Sequence, residues 1–204
     1  MESVFLLAFD LRKERLVGRG ELGYLLRAAA LAELLIGGHL ADEEGKARTV
    51  TPPSDPSPLA AAVWEQIAGS PSRTWRRWIG KDGSLAFRMV RDELAAARLI
   101  RVERRRILLF PVERITPRRL YLSRRLAEQV GTAVRGRHAV SRLAREVRLL
   151  AALAGAARLT VVLPAREWRA HGKRIEELSA PVQPLTTALR QALESQRAAQ
   201  SGGG

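Results

Sequence analysis

Apolar residues recur at helical spacing through most of this chain, and the exceptions are short and marked by turn-forming residues. From Glu21 to Ile36, Leu22, Leu25, Leu26, Ala29, Ala32, Leu34 and Ile36 predict a buried helix closed by Gly37-Gly38, the natural centre of a core. The preceding run from Val4 to Leu11 is too short for periodicity to assign. His39 to Val50 predicts a hairpin around Glu43-Glu44-Gly45-Lys46. The stretch TPPSDPSP, 51–58, cannot continue either a helix or a sheet interior. Beyond it Asp55 or Ser57 can cap a helix whose stripe is Leu59, Val63 and Ile67, ended by Gly69-Ser-Pro71.

Thr74 to Ile79 predicts a further turn or two of helix, with Trp75 and Trp78 on one face as core residues. Asp82-Gly83-Ser84 then opens a helix whose buried positions are Phe87, Val90, Leu94 and Ala97, with Arg88 and Arg91 on the flank of that stripe. Leu99 to Val102 and Ile107 to Val112 bracket Glu103-Arg-Arg-Arg106, which predicts a hairpin with a basic tip. Arginine-studded helices follow near 118–130 and 137–153, and a last pair near 165–178 and 184–199. The pattern predicts a mainly α chain around the 21–36 helix, with small β-hairpins. Residues 1–196 are expected to form a single domain, and 197–204, ending in SGGG, a flexible tail.

Charge sharpens this picture. The formal net charge is +14, and 31 of 35 basic residues are arginine. Between Arg101 and Leu150 stand 14 arginines against four glutamates, so the positive field is localised and favours polyanions: nucleic acid or an anionic membrane face. The chain contains no cysteine, which removes disulfides, thiolate metal sites and cysteine nucleophiles. Its longest apolar run, Leu149 to Ala157, lies between Arg148 and Arg158 and falls short of the roughly 18 residues of a membrane span. The start, MESVFLLAFD, has no basic region ahead of its apolar run, unlike a secretory signal.

Candidate chemistry is sparse. Gly18-Arg-Gly-Glu-Leu-Gly23 spells the G-x-G-x-x-G of dinucleotide sites, but the preceding strand would be only Arg15 to Val17 and no alternating βα pattern follows, so the expectation is a turn with flexible hinges. His39, His138 and His171 lie far apart, none with a carboxylate at metal-ligand spacing, and read as surface or capping residues. No catalytic motif stands out, and neither enzyme activity, a metal nor a cofactor is expected. Arginine remains. Residues three apart on a helix share one side, so Arg88 and Arg91 in FRMVRDEL, 87–94, can aim planar forks at one phosphate. The competing assignment is internal pairing with Asp92, Glu93 or another helix.

Three ordered blocks decide between these. Leu26-Arg-Ala-Ala-Ala-Leu-Ala-Glu-Leu34 with Gly38-His39-Leu40 resembles the L-R-x-x-x-L-x-E-L and G-x-L signature of the Golgi phosphoprotein 3 family. FRMVRDEL is similar to that family's R-x-V-R-x-x-L helix, and Ile107-Leu108-Leu109-Phe110 to its F-L-L-F hairpin strand. The resemblance spans roughly residues 4 to 180, and the arginine-for-lysine bias points to a bacterial-type member. It implies a mainly α fold, with a central helical bundle surrounded by amphipathic helices and small β-hairpins, and a peripheral, cytoplasmic membrane adaptor that binds phosphatidylinositol 4-phosphate, with the headgroup held by Arg27, Arg88 and Arg91. The family's pocket tryptophan has Gly18 at its place, which leaves headgroup selectivity open. It further implies that Ile107, Leu108, Leu109 and Phe110 form a membrane or homo-oligomer contact. Each side chain buried on docking would contribute about 1.5–3 kcal/mol, and each nearby arginine roughly 1 kcal/mol at an anionic surface. The alternative is a basic nucleic-acid-binding module, although no helix-turn-helix or RNA-recognition signature is present and aromatics are few.

Overall fold

The structure, a computed structural model, describes residues 1–107 and 110–201. The apolar run at the start, which periodicity leaves unassigned, divides into helix α1 (Glu2–Leu7) and a small hairpin of β1 (Phe9–Asp10) against β2 (Arg15–Leu16). Then comes α2 (Arg19–Ile36), the expected central helix. Its middle, from Leu25 to Ala32, is buried on every side: Leu22, Leu25, Leu26, Leu31 and Leu34 are at most 2% exposed, and the alanines between them are buried as well. Truncating one of these leucines to alanine is expected to cost about 2–5 kcal/mol. The helix ends in a Schellman motif, with Gly38 at φ 75° and the His39 amide donating to the Leu34 carbonyl at 2.9 Å.

The predicted hairpin is β3 (Leu40–Glu43) against β4 (Lys46–Thr49), closed by Glu44 and Gly45, both at positive φ as a type I′ turn requires. After the proline-rich segment, Ser57 and not Asp55 caps α3 (Pro58–Ala68), its hydroxyl accepting from the Ala60 amide. Ser57 also donates to the Glu33 carboxylate on α2, which ties the loop to the central helix. A third strand, β5 (Arg73–Thr74), joins β4 and leads into α4 (Trp75–Gly80), capped by Thr74. Trp75 and Trp78 are core residues as expected, at 2% and 0% exposure.

Helix α5 (Gly83–Ala96) buries Phe87, Val90 and Leu94, but Ala97 lies at its C-cap and is exposed. The next two strands, β6 (Ile100–Ile107) and β7 (Phe110–Pro117), pair antiparallel from Ile100–Pro117 to Ile107–Phe110. This corrects the expected basic tip: Glu103 to Arg106 lie inside β6. Charge is tolerated there because Glu103 stands opposite Arg114 and Arg104 opposite Glu113. The remaining helices are α6 (Leu120–Arg135), α7 (Arg145–Ala157), α8 (Ala165–Ala170), α9 (Gly172–Ser179) and α10 (Gln183–Ser201). Three of these differ from the pattern: the helix expected over 137–153 begins only at Arg145 and runs to Ala157, the expected helix over 165–178 is split at His171, and α10 runs on to Ser201, into the stretch assigned to a tail. Arg197 of that helix pairs with Glu21 at 2.8 Å.

α1, α3, α4, α5, α7 and α10 pack around α2, so the described residues form one continuous core. The closest approach explains the glycine motif. A Cβ at Gly23 would lie 2.3 Å from the Gly83 carbonyl oxygen, and one at Gly20 2.3 Å from the Gln196 side chain. These glycines sit within α2 and let α5 and α10 touch it; they form neither a hinge nor a phosphate loop.

Candidate functional site

Helix α5 carries Arg88 and Arg91 on adjacent turns, but their surroundings differ. Arg88 is exposed and forms no hydrogen bond or ion pair among the described residues. Arg91 is only 8% exposed, its guanidinium held between Asp92 and Glu113 of β7. Its Nη1 donates to both oxygens of Glu113, at 2.9 and 3.1 Å, and its Nε to Asp92 Oδ1 at 2.8 Å. The Asp92 hydrogen bond holds the Arg91 guanidinium above its ordinary pKa, and reciprocally keeps the Asp92 carboxyl below the usual range.

Glu113 collects more than Arg91. Arg19, at the start of α2, approaches its carboxylate at 3.5 Å and donates to its backbone carbonyl at 3.3 Å, while Arg104 donates from β6 at 3.3 Å. Arg19 also lies over the ring of Phe87 at 5.5 Å. Arg88 and Arg104 both act electrostatically on Asp92. Four guanidinium groups from α2, α5 and β6 thus gather around two carboxylates, with Arg19, Arg88 and Arg104 largely open to solvent. The arrangement suits an anion with several oxygens, because planar forks bind such groups bidentately.

Arg27 is placed elsewhere. It is 1% exposed, its Nε donating to the Trp78 carbonyl at 2.8 Å and its Nη1 to Gln66 Oε1 at 3.0 Å; Nη2 is buried without a partner among the described residues. Burial pushes its pKa down to about 10, partly opposed by the charge of Asp82, so it stays cationic at neutral pH. Its position on α2 is eight residues beyond Arg19, about 12 Å of helix. Asp82, its nearest charge, precedes Arg91 by nine residues of α5, about 13 Å. Arg88 and Arg91 share a cluster on α5, and Arg27 is enclosed among α3, α4 and the start of α5. The reason is its apolar surroundings, since every neighbouring position on α2 is core.

Gly18 stands at the N-cap of α2. The backbones of Ile107 and Phe110 pair at the end of the β6–β7 ladder, while Leu108 and Leu109 lie outside the described residues. The histidines serve structure: His39 Nδ1 lies 3.2 Å from the Thr51 carbonyl, the His138 carbonyl accepts from Arg174, and His171 joins α8 to α9. Among the described residues no group of three or more histidines, aspartates or glutamates could hold a metal ion, and no helix is long and apolar enough to cross a membrane. Sequence reasoning missed Arg19, Arg104 and Glu113. The signal lay in the strand register, since Arg104 and Glu113 meet only once Glu103 to Arg106 is assigned to a strand.

A mainly helical domain with short hairpins and an open arginine cluster is the class that the fold and this geometry define. The Golgi phosphoprotein 3 (GPP34) family model matches residues 1–196, and the chain belongs to that family. No curated protein is a match.

Proposed function

We propose that this protein is a peripheral membrane adaptor that binds phosphatidylinositol 4-phosphate, or a related anionic phospholipid headgroup, through the arginines gathered on α5. The observation that carries this reading is Arg88, exposed and unpaired one turn from Arg91 in a cluster of four guanidinium groups. Membership of the Golgi phosphoprotein 3 family supports a lipid-binding adaptor over an enzyme. Arg88 makes the direct phosphate contact. Arg91, held in place by Asp92 and Glu113, supplies a fixed second fork at the rim, with Arg19 and Arg104 adding attraction. Arg27 acts at a distance as a buried charge. A single headgroup site seldom anchors a protein stably, so the β6–β7 hairpin, with Ile107, Leu108, Leu109 and Phe110, provides the second signal at the membrane or between copies of the chain.

The nucleic-acid alternative rested on the arginines between 101 and 150. These are distributed over β6, β7, α6, α7 and the connections between them, and several engage carboxylates or carbonyls, such as Arg114 with Glu14, Arg135 with Glu167 and Arg145 with the Ile36 carbonyl. They do not form one stripe along one element. The test is vesicle flotation across headgroups beside a mobility shift with duplex DNA and single-stranded RNA at about 50 mM salt. Recruitment by phosphatidylinositol 4-phosphate above unphosphorylated phosphatidylinositol, without a shift, is expected. A shift without flotation reverses the assignment.

A further inference from the structure

A second basic feature lies at the other end of the α2–α5 contact. A hollow of about 410 Å³ near α1 is largely apolar, and one of about 610 Å³ between α7 and α10 mixes arginines with Glu176. The hollow of about 500 Å³ at α4 differs from both: its walls are Arg73, Arg76, Arg77, Gly80, Lys81 and Asp82. Four cations face one carboxylate. None of the four cationic side chains has a carboxylate partner among the described residues, whereas the arginines around Glu113 do.

The hollow is built on fixed parts. Arg73 belongs to β5, which is paired to β4, and α4 is capped by Thr74. Both half-buried cations rest on the fully buried Trp78 indole, Arg73 at 6.0 Å and Lys81 at 5.3 Å from the ring centre. Such contacts hold the stems of long side chains and lower the ordering cost of binding. The carbonyl of the same Trp78 accepts from Arg27, whose enclosed charge acts on Asp82 at the wall. A fifth positive charge therefore stands behind the four that face solvent. Asp82 takes only a long hydrogen bond, from Gln66 at 3.4 Å, and offsets one of these charges.

We infer that this hollow is an anion site that takes a phosphomonoester, with Arg76 and Arg77 as forks and Arg73 and Lys81 as fixed charges beside them. Arg76 and Arg77 both line the hollow, planar guanidinium groups match the oxygens of a tetrahedral dianion bidentately, and the volume accommodates a phosphorylated polyol. The site is separate from the α5 cluster, because none of Arg19, Arg88, Arg91 and Arg104 lines it. The phosphate can be carried by a membrane lipid or by a soluble molecule.

Two probes separate these sources: glycerol 3-phosphate, followed by calorimetry, and phosphatidylcholine vesicles containing phosphatidic acid, followed by flotation. The full chain is compared with Arg76→Glu/Arg77→Glu, both exposed positions, and with Arg169→Glu/Arg190→Glu, which changes charge equally at another face; circular dichroism verifies folding. The expected result is saturable binding of glycerol 3-phosphate, weakened about tenfold or more only by the α4 pair. Vesicle recruitment lost in the same variant assigns a lipid source, and soluble binding without recruitment assigns a free phosphomonoester. Equal loss in both double variants, no loss in either, or no binding of either probe by the unaltered chain overturns the site. Arg88→Glu on phosphatidylinositol 4-phosphate vesicles is read separately, so failure of the α5 headgroup reading leaves this outcome distinguishable.

Discussion

Glu113→Gln separates the structural from the binding role of the α5 cluster. The substitution keeps the shape of the side chain and one acceptor oxygen but removes the negative charge on which Arg19, Arg91 and Arg104 converge. The Arg19 and Arg104 side chains are 55% and 76% exposed, so their pairs contribute little to stability. The pair with Arg91 matters more, because the two side chains are 9% and 16% exposed and share two contacts at 2.9 and 3.1 Å. Breaking a fully buried pair costs about 3–5 kcal/mol. Here Arg91 retains Asp92, and glutamine retains a hydrogen bond, so the expected loss is about 1–2 kcal/mol. Urea unfolding followed by circular dichroism reads it. Flotation with anionic vesicles should move the opposite way, because one carboxylate no longer competes with a phosphate for the same forks. Stability unchanged within error, or vesicle binding lowered together with stability, would refute the reasoning.

Gly23→Ala forces a methyl group to 2.3 Å from the Gly83 carbonyl oxygen, and backbone cannot swing aside as a side chain can, so a loss of about 2–3 kcal/mol is expected in urea unfolding. Arg27→Lys loses the fork that reaches both the Trp78 carbonyl and Gln66 and should destabilise by about 1–3 kcal/mol, measured in the same way. For Asp92 the folded pKa is depressed by the Arg91 hydrogen bond, so its contribution is present above the ordinary aspartate range and is lost as pH falls through about 4 and below. Its exposure limits this to under about 1 kcal/mol, and Asp92→Asn should flatten that part of a stability–pH curve recorded from pH 6 to 2.5.

The central helix, the β3–β4 hairpin and both core tryptophans were legible because each carries a local signal: continuous apolar spacing, a turn that needs positive φ, aromatics at neighbouring helical positions. The β6–β7 hairpin was legible in kind but not in register. Glu103 to Arg106 look like a turn by charge alone, yet they contain neither glycine nor proline, and their strand is stabilised by pairing with Pro111 to Arg114 across the hairpin. The same limit hid half the candidate site. Arg88 and Arg91 stand out as neighbours on one helix, but their different exposures depend on Glu113 of β7 reaching Arg91, a tertiary fact. Arg27 shows the converse: the L-R block places it in a helix, and only packing shows that the middle of the helix is enclosed on all sides.

Flotation of Arg88→Glu against the unaltered chain on vesicles containing phosphatidylinositol 4-phosphate is the most direct measurement, since Arg88 is exposed and the change should leave folding intact. The headgroup reading predicts that binding falls about tenfold or more while circular dichroism is unchanged. Undiminished recruitment of a folded variant would contradict it.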